Sequence, residues 1–212
     1  MRTPDIFLQG SKVTIRPITL HDLDEMSTWP ASSDPLDQFF DWPARSAREN
    51  RYWFVQLEQD PARVYYAVAN KKGELIGRIS LRNMRKGKST RLGIGFGPQF
   101  VGQGYGTDAL QTFLAYYFSE LGFNEMELDV AAINVRAVRC YERCGFQYTG
   151  SHYDWVDPDQ VAALLRCREH QHLKRFFKRT RYRSELLFYD MVLDKARWEA
   201  LRNQDLVHSA NT

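Results

Sequence analysis

The amino-acid sequence predicts an α/β fold, a single domain built on a sheet that is parallel in part. Three observations carry this. The chain has 212 residues, of which 43% are hydrophobic, enough for one sizeable core. Residues 64–81 read as a β-hairpin, and residues 91–153 alternate strand, helix, strand, helix, strand, the order that produces parallel neighbours.

Taken in order, residues 13–15 ahead of Arg16-Pro17 form a first strand, and residues 21–27 a short helix ending near Trp29-Pro30. A loop rich in Pro, Asp and aromatics covers 31–44. Ser46 then caps a helix that carries Tyr52-Trp-Phe-Val55 toward Asp60-Pro61, where proline ends it. The hairpin pairs 64–69 with 75–81 through the turn Lys71-Lys-Gly73. After a basic loop at 85–88 comes a strand at 91–96. A glycine-rich turn opens an amphipathic helix over about 104–121, with Leu110, Phe113, Leu114, Tyr117 and Phe118 at helical spacing. Residues 125–131 alternate as a strand, 134–144 form a helix, and 146–153 a further strand. A strand at 186–193 and a helix at 195–201 close the fold, leaving a loose tail at 208–212.

No stretch approaches the ~18 consecutive apolar residues of a membrane span, and no signal-peptide pattern opens the chain. The expected location is cytoplasmic. Cys140, Cys144 and Cys167 are too few and too oddly spaced for a disulfide framework. A net charge of +3 does not itself call for nucleic acid. The charge is unevenly distributed, however. Residues 20–44 hold six acids and no Lys or Arg, whereas residues 166–183 hold eight Lys and Arg and one acid.

The strand-to-helix turn Gln99-Phe-Val-Gly102-Gln-Gly104-Tyr-Gly106-Thr107 is the chain's strongest chemical signal. Alternate glycines let successive N–H groups point into one concavity, and the first turn of the following helix adds its unpaired N–H groups and dipole. Such a cradle binds phosphate. It is not a dinucleotide fingerprint, which needs glycine where Thr107 stands, and it lacks the lysine of a P-loop.

Gln99-x-x-Gly102-x-Gly104 resembles the signature of the GCN5-related N-acetyltransferase (GNAT) superfamily. Val13-Thr-Ile-Arg-Pro17, Asn134-x-Arg136-Ala-x-Arg139-x-Tyr141-Glu-x-x-Gly145-Phe146 and Tyr189-Asp-Met-Val-Leu193 followed by Trp198 resemble segments of the branch that acetylates ribosomal-protein N-termini. The resemblance implies a mixed, mostly antiparallel sheet of about seven strands whose fourth and fifth splay to admit the pantetheine arm of acetyl-CoA. It implies that Ile94, Gly95 and Phe96 bind that arm with Asn134 nearby. The pyrophosphate then falls to the loop from Gln99 through Gly102, Gln103, Gly104, Tyr105, Gly106 and Thr107.

Acetyl transfer needs a positioned amine and thioester and a proton donor for the departing thiolate. Tyr141, two helical turns beyond Asn134, shares its face and is the candidate donor. The fourth strand, Leu92-Gly-Ile-Gly-Phe96, holds no acid, so the base is sought on the fifth, where Asp129 and Glu127 share a face. Cys167-x-x-His170-x-His172 matches no standard zinc spacing, and no metal is expected. Residues 157–183 look like a basic helical insertion, read as a solvated helix with one apolar stripe or, with Phe176, Phe177 and Tyr182, as a surface for RNA or the ribosome. The resemblance implies that the acidic loop with Asp34, Asp37 and Asp41 forms part of the acceptor pocket, where its carboxylates would attract a cationic amine. The expected activity is acetylation of a primary amine, on a peptide N-terminus or a small cationic molecule, by a monomer or homodimer. An RNA- or ribosome-associated binding module and a catalytically degenerate acetyl-CoA sensor are the alternatives.

Overall fold

The computed structural model describes residues 6–85, 87–180 and 183–210, with the side chains of 205–210 left aside. Lys86 of the basic loop, Tyr182 of the insertion and residues 211–212 of the tail lie outside them. Two short strands open the chain, β1 (Leu8–Gln9) and β2 (Val13–Pro17). Thr19 then caps α1 (Leu20–Met26), its side chain accepting from the Asp22 N–H. Asp22, 1% exposed, returns bonds to Thr19 and takes both arms of Arg16, at 2.6 and 2.7 Å. A single-turn helix at Asp37–Phe40 interrupts the acidic loop. Ser46 and Glu49 form the capping box of α2 (Ala47–Gln59).

The hairpin is β3 (Val64–Asn70) and β4 (Leu75–Arg85), followed by β5 (Ser89–Phe96), α3 (Tyr105–Ser119), β6 (Glu125–Ala131), α4 (Val135–Arg143) and β7 (Gln147–Val156). The insertion gives α5 (Pro158–Arg166), a run of 3-10 turns at Arg168–Phe176, and β8 (Phe177–Arg179). Finally come β9 (Ser184–Asp194) and α6 (Lys195–Ala210). The last helix thus runs well past 201, through most of the tail expected to be loose.

The described residues form one nine-stranded sheet in the order β1-β2-β3-β4-β5-β6-β9-β7, with β8 on β9. The count exceeds the expected seven because β1 and β8, of two and three residues, are too short to leave a hydrophobic period. The predicted fourth and fifth strands are therefore β5 and β6. They are the parallel pair; every other pairing is antiparallel. β7 is separated from β6 by β9, which enters between them.

All five residues read as the buried stripe of α3 are at most 1% exposed, each contributing roughly 1.5–3 kcal/mol by its burial. They pack with Val13, Ile15, Tyr66, Ile79 and Leu81 into the main core. A second cluster, including Leu23, Met26, Leu57 and Tyr65, lies beneath α1 and α2. A third joins Leu164 and Leu173 of the insertion to Phe39 and Phe40 of the acidic loop. The insertion is therefore not a continuous solvated helix. Its apolar residues pack onto the domain.

Asp108, on the first turn of α3, accepts from the Ser11 N–H and hydroxyl (3.0 and 2.6 Å) and from the N–H groups of Lys12 and Val13 (2.7 and 3.0 Å). This carboxylate ties the turn between β1 and β2 to the start of α3. Burial opposes its ionisation, but these bonds hold it below the usual carboxylate range. A lowered folded-state pKa stabilises fully above the unfolded value of ~3.9 and is lost as pH falls through the folded value. Asp108→Ala should cost about 1–3 kcal/mol in urea unfolding at pH 7, and its deficit should shrink below about pH 4. A deficit unchanged at low pH would mean that the charge is not what holds the turn.

Candidate active site

The parallel ladder between β5 and β6 runs over Ser89↔Glu125, Thr90↔Met126 and Arg91↔Glu127, and stops. Both strands continue beyond it. β5 stays paired with β4 as far as Gly77↔Phe96, and β6 with β9 as far as Ala131↔Phe188. Residues 92–96 and 128–131 therefore diverge with their facing backbone groups unpaired by each other. The gap opens into a cleft of about 910 Å³.

Ile94, Gly95 and Phe96 line the cleft on the β5 side, and Asp129, Val130 and Ala131 on the β6 side. At its mouth Gly102 and Gly104 adopt left-handed φ of +81° and +83°. A Cβ at Gly102 would meet nothing within 4 Å, so the loop stands open there. Gly104 is the residue at which α3 begins. No hydrogen bond among the described residues occupies the N–H groups of residues 102–107. With Gly106 and Thr107 also on the cleft wall, this is an open helix N-terminus suited to a phosphate.

The remaining loop residues have other positions. Gln103 donates from Nε2 to the Gln99 carbonyl at 2.8 Å, closing the loop on itself, and Tyr105 packs against the main core. Gln99, Gln103 and Tyr105 shape the cradle without lining the cleft. Lys12 had no sequence signal. Its ammonium donates to the Gln103 carbonyl at 3.1 Å and stands 2.9 Å from where a Cβ on Gly104 would lie, which adds a cation to the cradle.

On the opposite wall, Asn134 caps α4 by accepting from the Ala137 N–H at 3.1 Å, and its amide nitrogen has no partner among the described residues. Tyr141 is 7% exposed and lines the same cleft. Burial, with smaller contributions from Cys140 and Asp129, raises its phenol well above the ordinary value, so it stays protonated. Cys140 borders the cleft and lies 3.4 Å from the Thr107 hydroxyl; donation from Cys144 lowers its pKa below the usual thiol range.

The two candidate bases are both engaged by arginines. Glu127 pairs with Arg85 at 2.5 Å and does not line the cleft. Asp129 does, with Arg91 at 3.1 Å from Oδ1. That contact is ionic and lacks hydrogen-bond alignment, leaving Oδ1 buried without a donor.

The far end of the cleft is walled by the acidic loop. Asp34 pairs with His170 at 2.8 Å, Asp37 with Arg136 at 2.5 Å, and Asp41 accepts from the Ser32 N–H and hydroxyl. The insertion backs this loop through His170 and through Phe177, whose ring lies 6.2 Å from that of Phe39. Phe176 and Phe177, the aromatics read as suited to base stacking, belong to the cluster packed against the loop. Cys167 and His172 turn to separate backbone carbonyls, those of Ala163 and Glu169, and His170 to Asp34. No metal-binding group occurs among the described residues, nor does any helix long and apolar enough to cross a membrane.

Comparison with curated proteins yields no sequence match. Among solved structures, the chain is similar to spermidine N-acetyltransferase from Vibrio cholerae in complex with CoA and spermine, at 22% identity over 89% of this chain and 98% of that one, with a TM-score of 0.65. It is also similar to an acetyltransferase (GNAT family) from Bacillus anthracis, at 16% identity over 89% and 98%, with a TM-score of 0.61. At these identities the likeness shows the fold. The family model for the acetyltransferase (GNAT) domain matches residues 12–147, which include the splayed strands, the cradle and Tyr141. The chain thus belongs to the GNAT acetyltransferase family and is an acetyl-CoA-dependent N-acetyltransferase.

Proposed function

We propose that the protein transfers the acetyl group of acetyl-CoA to the primary amine of a small molecule. The observation that carries this is the end of the β5–β6 ladder at Arg91↔Glu127, which opens unpaired backbone directly toward the glycine cradle. In this reading the free N–H groups of residues 102–107 and the Lys12 ammonium take the pyrophosphate. Backbone of Ile94, Gly95 and Phe96 and the Asn134 amide take the pantetheine arm. The loop and insertion that wall the far end favour a small acceptor over an extended peptide. The Vibrio cholerae relative, whose name describes an enzyme acting on spermidine, supports an amine acceptor of that size.

The chemistry needs few groups. The amine nitrogen attacks the thioester carbon, the C–S bond breaks, and the Tyr141 phenol gives its proton to the departing sulfur. Asp129, which lines the cleft, takes the proton the attacking nitrogen sheds and passes it to water, and Tyr141 regains its proton from water once the product thiol has left. Burial of Tyr141 keeps its proton in place until the thiolate forms.

Two substitutions test this assignment. Gly104→Val forces a β-branched residue into left-handed backbone against Lys12, so acetyl-CoA affinity measured by calorimetry should fall at least about tenfold. Unchanged affinity in the folded variant would remove the loop from cofactor binding. Tyr141→Phe should lower kcat by about ten- to a thousandfold with little change in the KM for acetyl-CoA. Full turnover at saturating substrates would reduce Tyr141 to packing, and acetyl-CoA binding without turnover of any amine by the wild type would leave a sensor.

A further inference from the structure

The cleft wall contains a cation with no hydrogen-bonding partner among the described residues. Arg78 projects from β4, where it is in register with Gly95 of β5. Its guanidinium lies over the glycine backbone of that strand: a Cβ at Gly93 or Gly95 would stand 4.0 and 3.9 Å from its Nη1 and Nη2. Side chains longer than a methyl group at position 95 would occupy the space the guanidinium fills. Its other side is covered by aromatic rings, with the Trp42 centroid at 4.6 Å and the Tyr65 centroid at 5.8 Å. Arg78 lines the cleft beside Asp41, Asp129 and Tyr141, yet no carboxylate or carbonyl hydrogen-bonds it among the described residues.

Its surroundings add to the imbalance. Arg45 stacks on the same Trp42 ring at 4.8 Å, and both Arg45 and Arg82 repel the Arg78 charge. Burial, followed by these two charges, lowers its pKa against the opposing pull of Tyr65 and Tyr141. Trp42 Nε1, Arg45 Nη1 and Arg82 Nε are all buried donors lacking an acceptor. Asp34 of the acidic loop is by contrast bound to His170, Asp37 to Arg136, and Asp41 is held by Ser32. The Arg78 side chain is half-buried; a guanidinium taken partly out of water without a hydrogen-bond acceptor is costly, and ring stacking offsets only part of that. What Arg78, on the cleft wall, lacks is an anionic acceptor of hydrogen bonds.

We propose that the acceptor is an amino-carboxylate, its carboxylate held by the Arg78 guanidinium between Trp42 and the β5 glycines while its amine lies toward Asp129 and Tyr141. This rests on the amine-acetylation reading above and narrows its substrate class. The planar fork of an arginine matches a carboxylate with two parallel bonds, which a lysine cannot form. Asp129, Tyr141 and Arg78 all line the one cleft, so an acceptor seated there can meet the carboxylate, the phenol and the guanidinium together. Arg78 is thereby a specificity-determining residue.

Thiol release from acetyl-CoA should be followed with free L-amino acids, the same amino acids as C-terminal amides, and linear diamines. The wild type should prefer the best free acid over its amide by at least about tenfold in kcat/KM. Arg78→Gln should reduce that preference by about ten- to a hundredfold, chiefly through the KM of the acid, with Arg78→Lys between the two. Calorimetric affinity for acetyl-CoA, expected to stay within about twofold, reports whether the variants are folded. Preference for amides or diamines in the wild type, or an acid preference that survives Arg78→Gln, would overturn the carboxylate site while leaving amine acetylation standing. Acetyl-CoA binding with no acceptor turned over would overturn both.

Discussion

Everything in this molecule that bears on function depends on two strands that begin paired and then separate. β5 and β6 share three residue pairs and diverge after Arg91 and Glu127, while β4 and β9 hold them extended from outside. A sheet does not normally leave a row of interior N–H and C=O groups unpaired, because each costs about as much as a lost hydrogen bond. Two neighbours on the outer sides make the divergence affordable and rigid. The exposed backbone is then a ready partner for the amides of an extended pantetheine chain.

The cleft that results is electrically asymmetric. At the cradle the positive potential comes from N–H groups, a helix end and Lys12, and is held in place by Asp108, which fastens the turn carrying Lys12 to the first turn of α3. Along β4 it comes from Arg78, stacked on Trp42 and Tyr65. Between them the Tyr141 phenol is buried and protonated. The acidic loop and the basic insertion, opposite in charge along the sequence, meet in space: Asp34 with His170, Phe39 with Phe177. Their contact runs through His170 and apolar rings, and not through the Lys and Arg that make the insertion basic.

The parts of this picture legible in the sequence were those with a period or a motif. The stripe of α3 repeats every three or four residues, and residues 125–131 alternate, so both elements were readable nearly to their ends. The cradle was readable because glycine at alternate positions has few other uses. Lys12 and Arg78 were not, since each acts across the sheet on residues far away in sequence, Gln103 and Gly95, and nothing in the local pattern marks them. The lack of an acid in β5 was visible from the start. Only the register with β4 reveals that Gly93 and Gly95 leave room for a guanidinium there. The packing of the insertion is not legible locally, because its 3-10 turns carry no stable period and its apolar residues pack onto Phe39 and Phe40 from another segment.

The central claim, that splayed backbone and glycine cradle together receive acetyl-CoA, is most directly tested by amide hydrogen exchange with and without that co-substrate. The N–H groups of residues 94–96 and 102–107 should be slowed together on addition of acetyl-CoA, with little change in the outer strands β2 and β3. Protection confined to the acidic loop or insertion, or none at these two segments under saturating acetyl-CoA, would contradict the account.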